Sequence, residues 1–381
     1  MTPKKQIKNI FLIAGRTGGP FFPLPTIANN LSNYEPIYIG VKGGFEQQAV
    51  SKLNSKLEFL PDIRLTILSF KKEKLSETIA NYFKVFLVVL KFIWALFKSF
   101  FLVIKYQPKM IYSTGSFLSI PIFIAAKIAN FTRITKIKLV VHQQDPEPGL
   151  ANKICSKWAH YNSCVFEYTK ENFSDFKTAT VIPNPVESSK YNQITDFYNN
   201  ILKQNNPKLL DFVNQKNSKP LLFIFGGGSG SEDFNVWLTK NFEQVIKKFR
   251  IIHLTGLLQK TEVKLSHPDY FGSVALFTEM IAVMKLCDVV LCRAGLGSIT
   301  ELMLLQKPAF IVPLPSTHQE LNAKLVSQYF QVLDQKDRPI WLQQIQDSYP
   351  KFFEKISYPS NKLTEKKLQS YYNELNYLLD N

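Results

Sequence analysis

The two halves of the chain begin in the same way, and this repetition constrains the fold more than any other feature. An apolar run at 10–14 leads into Gly15-Arg16-Thr17-Gly18-Gly19, and a second at 221–225 leads into Gly226-Gly227-Gly228-Ser229-Gly230. Apolar strand candidates alternate with helical stretches through both halves, which is typical of doubly wound α/β domains. The sequence therefore predicts two Rossmann-like domains that face a cleft.

Strand candidates and a polar stretch set the expected boundaries. The candidates of the first half lie near 9–14, 36–41, 109–113, 137–142 and 179–182, and those of the second near 220–225, 250–254, 272–276, 288–292 and 308–312. We expect a first domain over 1–186 and a linker, rich in Asn, Lys and Gln, over 187–219. A second domain follows over 220–360, and a helix over 361–381 is expected to fold back across the domain junction.

The glycine turns are candidate phosphate sites. A glycine turn lets the backbone approach a phosphate, and a helix N-terminus supplies unpaired N–H groups with a partial positive charge. Neither turn has the Gly-Lys-Ser/Thr ending of a P-loop. The segment 293–301 follows the apolar strand at 288–292 and offers a further helix N-terminus. Its Glu301 either caps the helix or accepts hydrogen bonds from ribose hydroxyls, and the local sequence alone favours the cap.

The net charge of the chain indicates which kinds of partner it can bind. The formal net charge is +16, which predicts affinity for nucleic acid, an acidic lipid surface or phosphorylated small molecules. Nucleic acid is the weakest of these, because the sequence has no recognisable nucleic-acid-binding motif.

The four cysteines show no CxxC pair or zinc-ligand spacing and are expected to be buried in a reducing compartment. They are Cys155, Cys164, Cys287 and Cys292.

The N-terminus predicts a cytosolic protein. Its apolar run stops at Gly15 and enters the glycine turn, so it is interpreted as a first core strand rather than a signal peptide.

An apolar stretch from Tyr82 to Lys105 carries lysines seven residues apart. These are Lys84, Lys91, Lys98 and Lys105. On a helix a seven-residue step drifts by only ~20°, so the lysines form one cationic stripe on an otherwise apolar surface. Internal lysines argue against a spanning helix. The stretch is either a helix packed on its sheet with a wet lysine edge, or a surface that enters an anionic leaflet with Trp94 and nearby Phe side chains.

Several segments, in order, resemble the MurG family of N-acetylglucosaminyltransferases of peptidoglycan synthesis. They are Gly15 to Pro23, Ser113 to Pro121 more loosely, His142-Gln143-Gln144-Asp145 with Gly149 to Lys153, Pro183-Asn184-Pro185-Val186, Cys292 to Glu301, Pro308 with Val312 to Pro315, and His318 to Ala323. The similarity runs from about residue 9 to 330. It implies a GT-B fold, an acceptor site with a membrane-facing patch on 1–186, and a UDP-N-acetylglucosamine site on 220–360.

The resemblance also assigns roles to individual residues. The backbone at Phe277 is expected at uracil, Leu296, Gly297 and Ser298 at the diphosphate, and Gln319 at the donor sugar. Glu301 takes the ribose, which reverses the preference for a cap. Thr17, Gly18 and Gly19 are expected to line the cleft at the acceptor's diphosphate and the reacting sugar. The remaining expected contacts with donor or acceptor are Asp145, Gly228, Ser229, Ile299 and Thr300, and the membrane patch comprises Lys84, Lys91, Trp94 and Lys98.

The chain departs from the family at several polar positions. The family's first loop ends in a histidine, and Pro20 stands there. The Glu and Asn of its histidine-led motif are Gln143 and Asp145, and the arginine after Asn-Pro-Val is Glu187. In the second loop the family's serine is Gly228, with Ser229 one place later. These changes leave the sugar and the acceptor open.

Sugar transfer needs a hydroxyl nucleophile, a base, and stabilisation of the departing diphosphate. The helix N-terminus near Gly297 provides the last of these, and no DxD-type motif is suitably placed, so no metal or cofactor is expected to be required. Asp145 or His142 is the candidate base. Asp145 also fits a turn before Pro146, as Asx residues commonly do. His318 fits either a sugar contact or a structural hydrogen bond.

The resemblance implies an inverting transferase at the cytoplasmic side of the cell membrane, bound peripherally. It would move N-acetylglucosamine from UDP-N-acetylglucosamine to the muramoyl sugar of a polyprenyl-diphosphate-linked precursor, lipid I to lipid II. Two alternatives stay open: a related transferase acting on a diacylglycerol or other glycolipid acceptor, and a non-catalytic protein that binds nucleotide sugars.

Overall fold

The computed structural model describes residues 8–15, 18–63, 75–186, 193–227, 230–256, 262–276, 279–349 and 358–380. The chain divides into two compact units. Unit 1 comprises Met1–Val186 and Lys366–Asn381, and unit 2 comprises Glu187–Glu365. The expected sites at Thr17, Gly228, Ser229 and Phe277 lie outside the described residues, as does the departure at Glu187.

Unit 1 contains one parallel sheet. Its strands are β1 Lys8–Ile13, β2 Tyr34–Val41, β3 Lys56–Leu60, β4 Met110–Ser113, β5 Lys138–Gln143, β6 Tyr161–Cys164 and β7 Thr180–Val181. Its helices are α1 Gly18–Phe21, α2 Pro23–Asn30, α3 Phe45–Lys52, α4 Leu75–Tyr106, α5 Ser119–Phe131, α6 Leu150–Ser156, α7 Glu167–Asn172 and most of α15, Asn361–Asp380. The strand order is β3-β2-β1-β4-β5-β6-β7, which reverses direction between β1 and β4.

Both faces of this sheet are covered because its strands alternate side chains between two cores. On β1, Phe11 and Ile13 enter a cluster with Ala95 of α4 and Phe123 of α5. Ile10 and Leu12 enter the opposite cluster, which includes Leu24 of α2 and residues of α15. The α15 side chains buried there are Leu368, Tyr371, Tyr372, Leu375 and Leu379.

Unit 2 repeats the doubly wound plan. Its strands are β8 Leu221–Phe225, β9 Arg250–Leu254, β10 Tyr270–Ser273, β11 Val289–Arg293, β12 Ala309–Val312 and β13 Gln331–Val332, in the order β10-β9-β8-β11-β12-β13. Its helices are α8 Thr195–Asn205, α9 Pro207–Asn214, α10 Glu232–Ile246, α11 Met280–Leu286, α12 Leu296–Leu305, α13 His318–Leu325 and α14 Trp341–Ser348. All the strand pairs are parallel. The expected α/β class with two Rossmann-like domains is confirmed.

The polar stretch expected as a linker over 187–219 is largely an integral part of unit 2. From Thr195 to Asn214 it forms α8 and α9, and α8 packs against α11. The buried Arg250 donates to the carbonyl oxygens of Phe212, Val213 and Gln215 at the end of α9. A buried guanidinium at a helix C-terminus satisfies carbonyls that have no partner within the helix. Few apolar positions, among them the buried Tyr198 and Leu202, produce this packing within a polar composition.

The long helix α4 exposes an apolar surface. Its buried side chains include Ala95, Ser99, Leu102 and Val103. Within the described residues, Val85–Tyr106 is the one helix whose length and composition would allow it to cross a membrane, and only 22% of its most apolar window is buried. Length and composition do not separate a spanning helix from a core or interfacial one.

Candidate functional site

The acceptor-side residues predicted in unit 1 lie around the carboxyl ends of β1, β4 and β5. In a doubly wound sheet, ligands bind at these ends, where the strand order reverses. Gly18 and Gly19 lie in the short helix α1, directly after β1. The loop after β4 begins at Thr114, and Asp145 lies in the loop after β5. The strand order therefore places these three loops on one edge.

Side-chain contacts hold the three loops together. Thr114 Oγ1 donates to the carbonyl oxygen of Pro20 over 2.6 Å, joining the first loop to the second. Gly115 has a φ of +111°, and a Cβ there would lie 3.2 Å from Nδ2 of Asn152 on α6. Asn152 therefore packs directly beneath the second loop. Thr114 and Asn152 lie within motifs of the sequence, but their roles as braces depend on contacts distant in sequence.

Gln143 is part of the same brace. Its Oε1 accepts from Asn152 Nδ2 over 2.6 Å, and its Nε2 donates to the carbonyl oxygens of Asp145 and Glu147 over 2.7 and 3.2 Å. The side chain is almost fully buried. This position therefore holds the loop from within instead of presenting a polar group to a ligand.

The prediction that His142 is a candidate base is wrong. Its side chain is fully buried, its ring stacks on that of Tyr112, and its Nδ1 shares a hydrogen bond with Ser163 Oγ at 3.0 Å. Burial lowers the pKa of the imidazole to about 4. A neutral ring inside the core cannot reach a bound hydroxyl, so its role is structural. Asp145 is half-buried and stays the predicted base.

The donor-side residues of unit 2 gather at the corresponding edge. Strands β8 and β11 are neighbours with Phe225 opposite Cys292, so the loop after β8 and the start of α12 are adjacent. A Cβ at Gly226 would lie 2.4 Å from the backbone of Gly230 and Ser231, so only glycine fits this tight turn. The strand order reverses between these two strands, as it does in unit 1.

The N-terminus of α12 is a cluster of backbone donors at this edge. Gly295 precedes it in an extended conformation, and within the described residues no side chain caps it. The first N–H groups of a helix have no partner within the helix, and here they belong to Leu296, Gly297 and Ser298. The side chains of Leu296 and Ile299 are buried. Consequently the backbone, with the half-buried Ser298, forms the available surface.

The hydroxyl of Thr300, an expected ligand contact, donates within its own helix. Its Oγ1 donates to the carbonyl oxygen of Leu296 over 2.8 Å, one turn earlier in α12. Glu301 is half-buried on the next position of the helix. Gln319 lies in the first turn of α13 and accepts from the backbone N–H of Leu314 through Oε1 over 3.1 Å, so part of its side chain orders its own loop.

An arginine that the sequence analysis passed over organises this edge. Arg293 donates to Asp233 of α10 over 2.6 Å and to Gln335 over 2.8 Å, and its guanidinium lies over the Phe234 ring. It is buried, so each donor needs a partner. Asn322 of α13 donates to the carbonyl oxygen of Ala294 over 3.1 Å. Together these bonds fix α10, α12 and α13 around one corner.

The described residues contain no cluster of three or more His, Cys, Asp or Glu side chains that could hold a metal. All four cysteines are free and buried, as predicted. Burial raises the pKa of each thiol, to about 12 for Cys155 and Cys287 and about 11 for Cys164, so none is poised as a nucleophile.

The exposed face of α4 extends over four turns. Its exposed apolar side chains are Phe86, Leu87, Val89, Leu90, Ile93, Trp94, Phe97 and Phe101. Lys91 is exposed and Lys98 half-buried along one flank of this face, whereas the side chain of Lys84 lies outside the described residues. The neighbouring α5 ends in Phe131, which is 89% exposed. We call this set of residues on α4 and α5 the α4 surface.

Family models match both units. The glycosyltransferase family 28 N-terminal domain matches residues 10–161, and the glycosyltransferase family 28 C-terminal domain matches 221–375. Similar relatives carry the name UDP-N-acetylglucosamine–N-acetylmuramyl-(pentapeptide) pyrophosphoryl-undecaprenol N-acetylglucosamine transferase. The protein from Borrelia hermsii is 31% identical over 77% of this chain and 73% of its own length. That from Borreliella burgdorferi is 29% identical over 84% and 81%.

Solved structures share the fold. The MurG of Acinetobacter baumannii superposes with a TM-score of 0.60 at 16% identity, over 95% of this chain and 99% of its own. A UDP-GlcNAc 2-epimerase from Methanocaldococcus jannaschii superposes with a TM-score of 0.57 at 13% identity, over 97% and 99%. A transferase and an epimerase thus share this architecture, so these superpositions show the fold alone.

Proposed function

The chain belongs to glycosyltransferase family 28, and we propose that it transfers N-acetylglucosamine from UDP-N-acetylglucosamine to a lipid-linked acceptor. The acceptor sugar is the muramoyl residue of a polyprenyl-diphosphate peptidoglycan precursor, so the reaction converts lipid I to lipid II. The relatives with this function cover most of the chain at 26–31% identity.

One observation carries the proposal: the uncapped N-terminus of α12 beside the glycine turn after β8. Three backbone N–H groups and the positive end of a ten-residue helix point at one place. A diphosphate bound there is stabilised as it departs, because its charge grows when the anomeric bond breaks. Glu301 would hold the ribose and Gln319 the sugar, through the part of its side chain that does not order its own loop.

In the transfer step an acceptor hydroxyl attacks the anomeric carbon. A glycosidic bond forms, the bond from that carbon to the diphosphate breaks, and UDP leaves. Asp145 is proposed as the base that takes the hydroxyl proton. The helix N-terminus supplies the electrostatic stabilisation that a metal supplies in other transferases, so no metal or cofactor is proposed to take part.

The α4 surface is proposed to bring the enzyme to the cytoplasmic face of the membrane as a peripheral protein. Its side chains lie opposite the buried residues of α4, so they can enter a lipid interface without disturbing the core. Lys91 and Lys98 lie on one flank, where ammonium groups can meet anionic headgroups. An acceptor with a polyprenyl tail lies in the same membrane, so this surface would place the enzyme at its substrate.

A transfer assay with several acceptors tests the proposed function. The purified protein is incubated with radiolabelled UDP-N-acetylglucosamine and with muramoyl lipid, a diacylglycerol or another polyprenyl-linked sugar. Label only on the muramoyl lipid is the expected result. Transfer to another lipid would change the acceptor, and binding of the nucleotide sugar without transfer to any of them would refute catalysis.

A charge variant tests the donor site. Ser298→Asp puts a carboxylate into the first turn of α12, where it favours the helix but repels a diphosphate. Unit charges ~4 Å apart interact by ~4 kcal/mol at an effective dielectric constant of 20. Because Ser298 is only half-buried, solvent screens part of this repulsion. We therefore expect ~10–100-fold weaker UDP binding, with unchanged or higher thermal stability.

Gln343→Asp is the matched control. It places the same charge in the exposed first turn of α14, in the same unit. Calorimetric titration should show that this variant binds UDP with wild-type affinity. Equal UDP affinity of Ser298→Asp and wild type would place the diphosphate elsewhere.

A further inference from the structure

The loop between β5 and α6 is held by its own carbonyl groups. Gln143 Nε2 donates to the carbonyl oxygens of Asp145 and Glu147, over 2.7 and 3.2 Å. Thr169 Oγ1, from α7, donates to the carbonyl oxygen of Pro146 over 2.8 Å. Three consecutive carbonyls therefore point toward side-chain donors of the unit. Both donor side chains are buried, with Gln143 3% and Thr169 0% exposed.

Gln143 uses its amide nitrogen and its amide oxygen in this brace. A primary amide has two N–H donors and one carbonyl acceptor. Both donors bind loop carbonyls, and the acceptor binds Asn152 Nδ2 over 2.6 Å. Asn152 in turn packs beneath Gly115 in the neighbouring loop. One side chain thus couples the position of the Asp145 loop to that of the β4–α5 loop.

We propose that Gln143 is a positioning residue, which sets the conformation of residues 144–149 and through it the direction of the Asp145 carboxylate. This inference rests on the proposed function, with Asp145 as the base. A carboxylate at 143 would keep the bond from Asn152 but would lose both donors. It would also place a negative oxygen against two carbonyl oxygens, so the loop would have to move. In this chain the amide is therefore required for its donors. The family's Glu at this position is accompanied by an Asn, whereas Gln143→Glu would leave a second carboxylate, Asp145, in the same loop.

The main test compares Gln143→Glu with the wild type under saturating donor and varied acceptor. A displacement of about 1 Å in a reacting group can cost ~100-fold in rate. We expect kcat to fall by ~30–100-fold, with the affinity for UDP unchanged because unit 2 is untouched. Hydrogen exchange at residues 144–149 should also become faster. A purely structural role would lower the melting temperature and leave kcat per folded molecule at the wild-type value.

Thr169→Val is the second variant, since it removes one donor without adding a charge. It should lower kcat by ~10-fold, with the same unchanged UDP affinity. Thr239→Val is its control: it removes a hydrogen bond of the same length, from Thr239 Oγ1 to the Asn235 carbonyl in α10, and should keep wild-type kcat. If Gln143→Glu does not fold, Thr169→Val decides the question.

The outcomes separate this inference from the proposed function. A wild type that transfers no sugar to any acceptor refutes the function and this inference with it. If the wild type is active and the variants at 143 and 169 have the same kcat as the wild type, only the positioning role is refuted.

Discussion

Removing two aromatic side chains from the α4 surface should release the protein from membranes. Trp94 is 63% and Phe97 68% exposed, on the side of α4 opposite its buried residues. Aromatic side chains have about 200 Å² of surface, so each leaves roughly 130 Å² for contact with lipid. At ~25 cal/mol per Å², full insertion would contribute ~3 kcal/mol per residue. Helices that lie in the interface bury only part of their apolar face, so about half of this sum is expected.

The double variant Trp94→Ala/Phe97→Ala should therefore bind vesicles ~100-fold more weakly. The lysines act differently, because each contributes ~1 kcal/mol and only at an anionic surface. Lys91→Gln/Lys98→Gln should thus lose ~30-fold on anionic vesicles and little on neutral ones. Added salt should weaken wild-type binding to anionic vesicles down to the level of this lysine variant.

Co-sedimentation with neutral and with anionic vesicles measures these losses. The matched control is Ile194→Ala, which removes an apolar side chain that is 72% exposed in unit 2. It should bind as the wild type does. All variants should retain transfer to an acceptor made soluble by a short lipid tail. The reasoning is wrong if the aromatic variant sediments with vesicles like the wild type, or if Ile194→Ala weakens vesicle binding as much as the aromatic variant does.

Two further predictions concern stability. Arg250→Met should destabilise unit 2 by ~2–4 kcal/mol, because it leaves the carbonyls at the end of α9 without donors. Denaturant unfolding, followed by the signal of Trp237 and Trp341, measures this loss of stability. Substitution of the exposed Arg133 by Met should leave the free energy of unfolding unchanged. Acid should destabilise both units, since burial lowers the pKa of His142 and of His253 to about 4, below the ~6.5 of an unfolded chain. The unfolded state then binds more protons between these values, so stability is complete above pH ~6.5 and falls by ~2 kcal/mol per histidine from pH 7 to 5. Unfolding at both pH values should show a smaller loss in His142→Gln than in the wild type, and an equal loss would contradict the assignment.

The sequence predicted most strands of the two described sheets, including the edge strands β7 and β10, and missed β3, β6 and β13. Central strands such as β1 and β8 are buried on both faces, so they read as continuous apolar runs. The missed β6, Tyr161–Cys164, contains Asn and Ser, and the missed β13 has two residues. Their positions follow from pairing with a neighbour. The helices α8 and α9 were missed for a related reason, since a few buried side chains and a distant arginine fix them.

The glycine turns and the start of α12 were predictable because they depend on local backbone. A strand, a glycine and a helix in succession imply donor groups at one place whatever surrounds them. The roles of His142 and Thr300 were not predictable, since their contacts decide them. His142 lies at the end of a strand whose side chains alternate, and the one-residue step to Gln143 changes the face. Thr300 shares a turn with the half-buried Gly297 and Ser298, yet its hydroxyl donates back along the helix.

The contacts also change what the departures from the family mean. Pro20 contributes its carbonyl oxygen to Thr114, a contact that any residue there can make. Gln143 contributes both its donors to its own loop. At position 143 the side chain acts inside unit 1, so this substitution bears on the shape of the loop rather than on the identity of the acceptor. The third departure in unit 1, Asp145, is half-buried in this braced loop, and a carboxylate there adds a proton acceptor. The substitutions therefore fit an active transferase with a rebuilt loop better than a binding protein that has lost its chemistry.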